Sequence, residues 1–312
     1  MARTHRLDAG QVHYEWNNAI PPRLEIEPGD TVVFDTRDAA DGYYTKRSTS
    51  ADAEAKGPFR GHPLTGPVKV RGARPGDTLA VEILEVKPRE DFGWTHIRPG
   101  RGLLPEEDFP KSFLQVWDLS DGTHARMGHG IAVPLDPFPG VMGVALDQPG
   151  GHSTMPPRKN GGNMDIKQLT SGTTLWLPVW TEGALFSIGD AHGAQGDGEV
   201  CVTAVEMTAQ ITMRFDVTSG RRLHEPQFRT RGPVGAKTNV GPHFVTTAHG
   251  PELFPAAQQS IRYMIDHLVS ARGLSREEAY AVCSVAVDLK ISEIVDAPNW
   301  IVSAFLPESI FS

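Results

Sequence analysis

The stretch Gly189-Asp190-Ala191-His192-Gly193-Ala194-Gln195-Gly196-Asp197-Gly198-Glu199 gathers an imidazole, three carboxylates and a side-chain amide. On a strand, side chains two apart share a face, so Asp190 pairs with His192 and Asp197 with Glu199. If the glycines between fold the chain back, the two pairs converge. One imidazole with up to three carboxylates suits a hard or borderline divalent ion such as Zn²⁺ or Mn²⁺, which brings the pKa of water towards neutrality and yields a hydroxide able to attack an unactivated carbonyl. The competing reading is a solvated polar turn. The apolar strands read on either side weigh against it, because they set the cluster at the end of a buried sheet. Gln195, in the same stretch, is a candidate substrate contact.

Two more segments offer groups that complete such a site. Phe34-Asp35-Thr36-Arg37-Asp38 closes an early strand, and Gly61-His62-Pro63-Leu64-Thr65-Gly66-Pro67 holds His62 in a proline-stiffened loop. The loop Asn160-Gly161-Gly162-Asn163-Met164-Asp165 carries amide and carboxylate groups fit to hold a small polar substrate. His96, His129 and His152 have less around them and read as ordinary loop or core residues.

These groups need strands to place them. Glu27-Pro28-Gly29-Asp30-Thr31 and Arg74-Pro75-Gly76-Asp77-Thr78 are the same turn phrase, each leading into an apolar run. Proline presets one turn position and glycine takes the positive φ of the next. After the second copy, Leu79, Val81 and Ile83 alternate with Thr78, Ala80 and Glu82, the period of a half-buried strand. Between Gly183 and Val217 the pattern predicts three strands: GALFSIGD, EVCVTAV, and a run with Ile211, Met213, Phe215 and Val217 on one face. Beyond about Thr218 the period changes. Ala257, Ile261, Ile265 and Leu268 recur at helical spacing up to Gly273, and Ser275 with Glu278 forms the capping box of a second helix. A strand at VDLKISEIV follows. The expectation is a mainly β protein with a sandwich-like or barrel-like core over residues 1–217 and an α+β region over 218–312.

Thirty-two Gly and 25 Pro call for many turns, which agrees with β structure. A formal charge of −8 repels phosphate backbones and anionic surfaces, and no basic cluster offsets it, so nucleic acid and membrane partners are not expected. The opening MARTHRLDAG has no apolar h-region, and Cys201 and Cys283 lie in apolar surroundings, so a reducing cytoplasm is the expected compartment.

GPFRGHPLTGPVKVRGARPGDTLAVEI, PFPGVMGVAL, STMPPRKNGGNMDIKQLTSGTTLWLPV and GALFSIGDAHGAQGDGEVCVTAVE, in that order, closely resemble the acetamidase/formamidase family, and the resemblance extends to GLSREEAY and VDLKISEIVDAPNW. It implies hydrolysis of formamide, acetamide or similar short amides by a homo-oligomer with a bound divalent metal, zinc first, with Mn, Ca or Mg as alternatives. It points to Asp190, His192, Asp197, Glu199, His62, Asn163 and Asp165, and adds Glu206. Glu206 is awkward for a continuous strand, since an odd spacing from Glu199 turns it to the other face unless a bulge intervenes. Gly193 departs from the alanine expected there.

The resulting expectation assigns metal binding to His62, Asp190, His192 and Asp38, proton transfer to Asp197, Glu199 and Glu206, and substrate contacts to Asn163, Asp165 and Gln195. A proton donor is required because ammonia leaves poorly until its nitrogen is protonated. Cys201 and Cys283 read as core residues and not nucleophiles, and neither a Gly/Ser-rich nucleophile segment nor a GxSxG elbow occurs. Hydrolysis of a different linear or cyclic C–N bond, or non-catalytic binding of small ligands with the metal closed off, are the alternatives.

Overall fold

The structure, a computed structural model, describes residues 2–234, 237 and 241–311. It is mainly β. Among the described residues six strands form one sheet, in the order Thr4–Leu7, Thr31–Thr36, Ala209–Thr218, Thr78–Pro88, Thr174–Pro178 and Gln227–Arg229. The strands that follow the two repeated turns both lie against Ala209–Thr218, one on each side. The expected alternation holds here, with Leu79, Val81, Ile83, Ile211, Met213 and Phe215 fully buried.

Ten strands make the second sheet, which carries the chemistry. Through its middle run Phe92–Ile97, Glu206–Met207, Phe186–His192, Phe138–Gly143 and Gly161–Asn163 as neighbours. Phe186 of this sheet packs on Phe34 and Phe215 of the first, with ring centres 6.0 and 5.0 Å apart, so the two inner faces meet in one core. The apolar cluster continues without a break into the C-terminal helices.

There are three α-helices among the described residues: α1 (Ser50–Ala55), α2 (Leu253–Arg272) and α3 (Arg276–Ala286). α2 buries Ile261, Ile265 and Leu268 and stops at Gly273, whose left-handed φ of 66° suits a residue without a Cβ. α3 starts on the expected capping box, with Ser275 Oγ accepting from Glu278 N at 3.1 Å and Glu278 Oε2 accepting from Ser275 N at 2.8 Å. A three-stranded sheet, His243–Gly250, Trp300–Pro307 and Asp288–Glu293, completes this region. None of the described helices is long and apolar enough to cross a membrane.

One expected strand is absent. Residues 199–205, EVCVTAV, fold as an irregular turn in which Glu199 and Val202 take left-handed φ values of 43° and 74°. The run is apolar because it is buried under α3, and its backbone is satisfied from outside. Cys201 N donates to Ser284 Oγ at 3.1 Å, Ser284 Oγ donates to Thr203 O at 2.7 Å, and Leu103 N and the Tyr280 hydroxyl donate to Val200 O. A continuous apolar run signals burial without saying whether ladder or helix side chains take its hydrogen bonds.

Candidate metal and amide-binding site

The strand Phe186–His192 ends at the floor of a cavity of about 450 Å³. Asp190 and His192 reach the same point from it, as the two-residue spacing required, with His192 Nε2 3.5 Å from Asp190 Oδ2. His192 sits opposite Glu206 in the neighbouring strand, and its Nε2 is 3.4 Å from Glu206 Oε2. The irregular turn at 199–205 resets the register, so Glu199 and Glu206 both serve the cluster despite their odd spacing. From the loop at the other wall, His62 brings Nε2 to 3.6 Å from Asp190 Oδ2.

The hydrogen bonds around His192 fix its state. Gln195 Nε2 donates to Asp165 O at 2.7 Å, which leaves Gln195 Oε1 to accept from His192 Nδ1 at 2.9 Å. The bond puts a proton on Nδ1 and turns Nε2 to the cluster, where a bound cation would take the place of a proton on Nε2, the arrangement by which a buried amide orients a ligating histidine. Close packing holds the ring there. A Cβ on Gly140 would lie 2.7 Å from His192 Cε1 and 2.7 Å from Asp165 Oδ1, so only glycine lets that strand pass.

These donors fit a divalent ion. His192 Nε2, Glu206 Oε2 and Asp190 Oδ1 are buried without a hydrogen-bond partner. Ligands about 2.1 Å from a tetrahedral ion stand roughly 3.4 Å from one another, which matches the 3.4 and 3.5 Å from His192 Nε2 to Glu206 Oε2 and Asp190 Oδ2; His62 approaches Asp190 at 3.6 Å but stands outside both donor sets. A direct charged hydrogen bond would instead draw nitrogen and oxygen to about 2.8 Å. Asp165, His192 and Glu199 form a second set of donors, all within 4.8 Å of one another.

Ionisation follows from this crowding. Burial opposes charge on Asp190, yet His192 and His62 hold it well below the ordinary carboxylate range. Burial also opposes charge on His192, but Glu206 and Asp190 outweigh it and raise the imidazole well above its usual value. Burial pushes the carboxyls of Asp165, Glu199 and Glu206 up, and the charge of Asp190 adds to it at all three. Asp165 and Glu199 keep some exposure through the cavity and are otherwise enclosed. Asp165, Asp190 and Glu199 have left-handed φ values of 48°, 54° and 43°, so three site carboxylates sit on strained backbone.

Three expected residues take other places. Asp197 is not in the cluster: the turn at Gly198, φ 105°, breaks its pairing with Glu199, and its carboxylate faces Lys167 at 3.7 Å and Gln168 Nε2 at 3.3 Å. Gln195 stands behind His192 with both ends of its amide engaged and does not line the cavity. Asp38 is buried but spends Oδ1 on Ala40 N at 2.7 Å and Gly42 N at 3.3 Å; desolvation lifts its carboxyl to about 6, and it belongs to neither donor set. Asn163 and Asp165 do line the cavity, each with a buried, unpartnered Oδ1. Cys201 and Cys283 are wholly buried, and burial pushes the Cys201 thiol up to about 11, which disfavours a nucleophilic thiolate.

Sequence reasoning missed Thr154 and Gly140 and discounted His96. Thr154 Oγ1 accepts from His62 N at 2.8 Å and lies 3.0 Å from His62 Nδ1, so it sets the ring. Only PFPGVMG, read as a family motif without a physical role, marked Gly140.

A mainly β fold with a buried carboxylate–imidazole cluster at the foot of a cavity defines a hydrolase-like small-molecule site. The acetamidase/formamidase family model matches residues 2–150 and 147–312, and the chain belongs to that family. A formamidase of Methylophilus methylotrophus is 26% identical over 97% of this chain and 90% of its own length. Among solved structures, a gamma lactamase from Delftia acidovorans superposes with a TM-score of 0.91 at 26% identity, covering 100% of this chain and 94% of that one. An acetamidase from Bacillus halodurans is 32% identical, with a TM-score of 0.68 and 96% of each chain covered.

Proposed function

We propose that this protein is an amidohydrolase that cleaves short linear amides to a carboxylate and ammonia with a divalent metal held by His62, Asp190, His192 and Glu206. The buried donors of His192, Asp190 and Glu206, all within 4.8 Å of one another and with His192 Nε2 and Glu206 Oε2 unpartnered at 3.4 Å, carry this reading. Zinc fits the mixed imidazole and carboxylate set best, with manganese next. Such an ion, when bound, supplies polarisation of the amide carbonyl and acidification of water.

The residues supply the rest. Asn163 Oδ1, buried and unpartnered, accepts an N–H of the substrate carboxamide and turns its carbonyl towards the cluster. Burial and the neighbouring carboxylates raise the carboxyl of Glu199, which suits it to carry a proton to the departing nitrogen. Gln195 holds the His192 ring with Nε2 turned to the cluster. Glu206 thereby passes from the proton-carrying group to the metal-holding one, and Asp38 and Asp197 have no direct part.

Ammonia release from formamide, acetamide, propionamide and benzamide, before and after chelation and metal add-back, tests the reading. Chelator-sensitive turnover restored by metal supports it; turnover indifferent to thorough metal removal contradicts the metal's part. The likeness to a gamma lactamase favours one second reading, hydrolysis of a cyclic amide, and a γ-lactam in the same assay distinguishes it by ring opening without ammonia. We further propose a homo-oligomer in the cytoplasm, checked by light scattering and fractionation.

A further inference from the structure

The cavity is far larger than formamide or acetamide requires. Its volume of about 450 Å³ falls in the range of roughly 300–1,000 Å³ typical of pockets for much larger ligands. Its most deeply buried lining is the carboxylate cluster, and its lining also includes Lys56 and Arg98, half-buried, and Arg101, exposed. Among the described residues no carboxylate oxygen comes within 4.0 Å of these three cations. Lys56 Nζ donates to Ala40 O at 3.4 Å and lies 4.6 Å from the centre of the Tyr43 ring, with Asp38 and Asp41 the acids that act on it from further off. Burial and the nearby Arg98 both press the Lys56 ammonium down. Two partly buried cations repelling each other across one wall are a standing cost that a bound anion removes.

His96 gives an independent indication. Its ring is 3% exposed and lines the cavity, with Nδ1 3.1 Å from the Tyr44 hydroxyl and Nε2 buried without a partner. Desolvation, reinforced by Arg98 and Lys56, lowers this imidazole to about 4, so it is neutral in the working protein. When Tyr44 donates to Nδ1, the proton sits on Nε2 and is available to a ligand in the cavity. Glu54, the acid acting on His96, is engaged elsewhere, with Oε2 accepting from Ser112 N at 3.1 Å.

We propose that Lys56, Arg98 and His96 Nε2 form a carboxylate subsite, and that the preferred substrate is a monoamide of a short dicarboxylic acid. This deepens the amidohydrolase reading and rests on it. The subsite orients such a molecule: the cations hold its carboxylate, so its neutral carboxamide is the end left to reach the cluster. The bond broken is the same C–N bond, water supplies OH to the acyl carbon and H to nitrogen, and the products are a dicarboxylate and ammonia. An enzyme producing such a monoamide, by hydrating a nitrile or opening a cyclic imide, is the class of reaction that would supply it.

The test compares kcat/KM for glutaramate with that for pentanamide, its neutral counterpart, in wild type and in Arg98→Gln and Lys56→Gln proteins shown to be folded by their melting temperature. Glutaramate should be favoured by about 10-fold or more, and Arg98→Gln should lower that ratio by about 10-fold, with raised salt narrowing it. Hydrolysis of pentanamide with no preference for glutaramate overturns the subsite and leaves the amidohydrolase standing. If no amide releases ammonia, the parent reading fails, and calorimetric titration with the unhydrolysed glutaramate decides the subsite alone. Binding weakened about 10-fold by Arg98→Gln supports it; no binding to wild type overturns it.

Discussion

Asp30 and Glu206 are equally hidden, 3% and 2% exposed, and differ in everything that matters for their use. Asp30 closes the first of the repeated turns. Its Oδ1 accepts from Arg3 N at 2.7 Å, and its Oδ2 accepts from Glu27 N at 3.1 Å and faces His5 Nε2 at 2.8 Å. Asp77, in the second copy, is held by Arg74 N at 2.9 Å, Gly220 N at 3.0 Å and Ser219 Oγ at 3.2 Å. Burial works against ionisation of both, and the donors still hold both carboxyls below their ordinary value. Glu206 has one oxygen on Ala204 N at 3.1 Å and the other on nothing. Burial is common to both regions; satisfaction separates a carboxylate that stabilises the fold from one kept for a ligand.

That contrast can be broken most forcefully at the cluster. His192→Ala and Asp190→Ala should abolish ammonia release with native circular dichroism, and His192→Ala should also lower the melting temperature, because it empties a packed site and leaves Gln195 Oε1 unpaired. Retained turnover in either would erase the distinction. Glu199→Gln keeps shape but cannot donate an acid proton, and should lower kcat by about 100- to 10,000-fold with KM little changed. Gln195→Ala should weaken metal retention by about 10- to 100-fold, read by competition with a chromophoric chelator.

At the turns the effects are smaller and of another kind. Asp30→Ala strips acceptors from two backbone donors and should cost about 1–3 kcal/mol in denaturant unfolding, with activity per folded molecule unchanged. The smallest effect is the pH dependence, and it has opposite signs for the turn carboxyls and for the raised carboxyls of the cluster. Asp30 and Asp77, depressed below 3.8, contribute stability that is present above that value and lost as pH falls through their lower folded pKa. Asp165, Glu199 and Glu206, raised above 3.8 and 4.5, cost the metal-free protein stability at neutral pH, and the cost shrinks as pH falls towards those values. Melting temperature against pH in chelator should show both limbs, Asp165→Asn flattening the upper and Asp30→Ala the lower.

The strand-borne part of this site was legible because strand periodicity is rigid: Asp190 and His192, two apart, could only converge. The helices from 253 to 286 were legible for the same reason, with Ser275, Glu278 and Gly273 marking their ends. Where the chain leaves regular structure the inference loosened. EVCVTAV has a buried strand's composition, but its hydrogen bonds go to α3 and Leu103, partners remote in sequence. Asp197 and Glu199 diverge because Gly198 and Glu199 take left-handed φ, which residue type alone does not dictate. Asp38 and Gln195 were read as facing a ligand, whereas the first is consumed by its own turn and the second supports His192. Lys56, just after α1, and Arg98, in a loop, carry no periodic signal, and the short helix α1 went unread although Asp52 Oδ2 accepts from Thr49 N at 2.7 Å to start it.

The most direct test of the central claim, that the unsatisfied cluster is a metal site on which hydrolysis depends, is elemental analysis of the purified wild-type and Asp190→Ala proteins with amide turnover measured on the same samples. The account predicts divalent metal in the wild type in proportion to its activity, and loss of both in Asp190→Ala. An active wild-type protein free of divalent metal, or an Asp190→Ala protein that keeps its turnover, would contradict it.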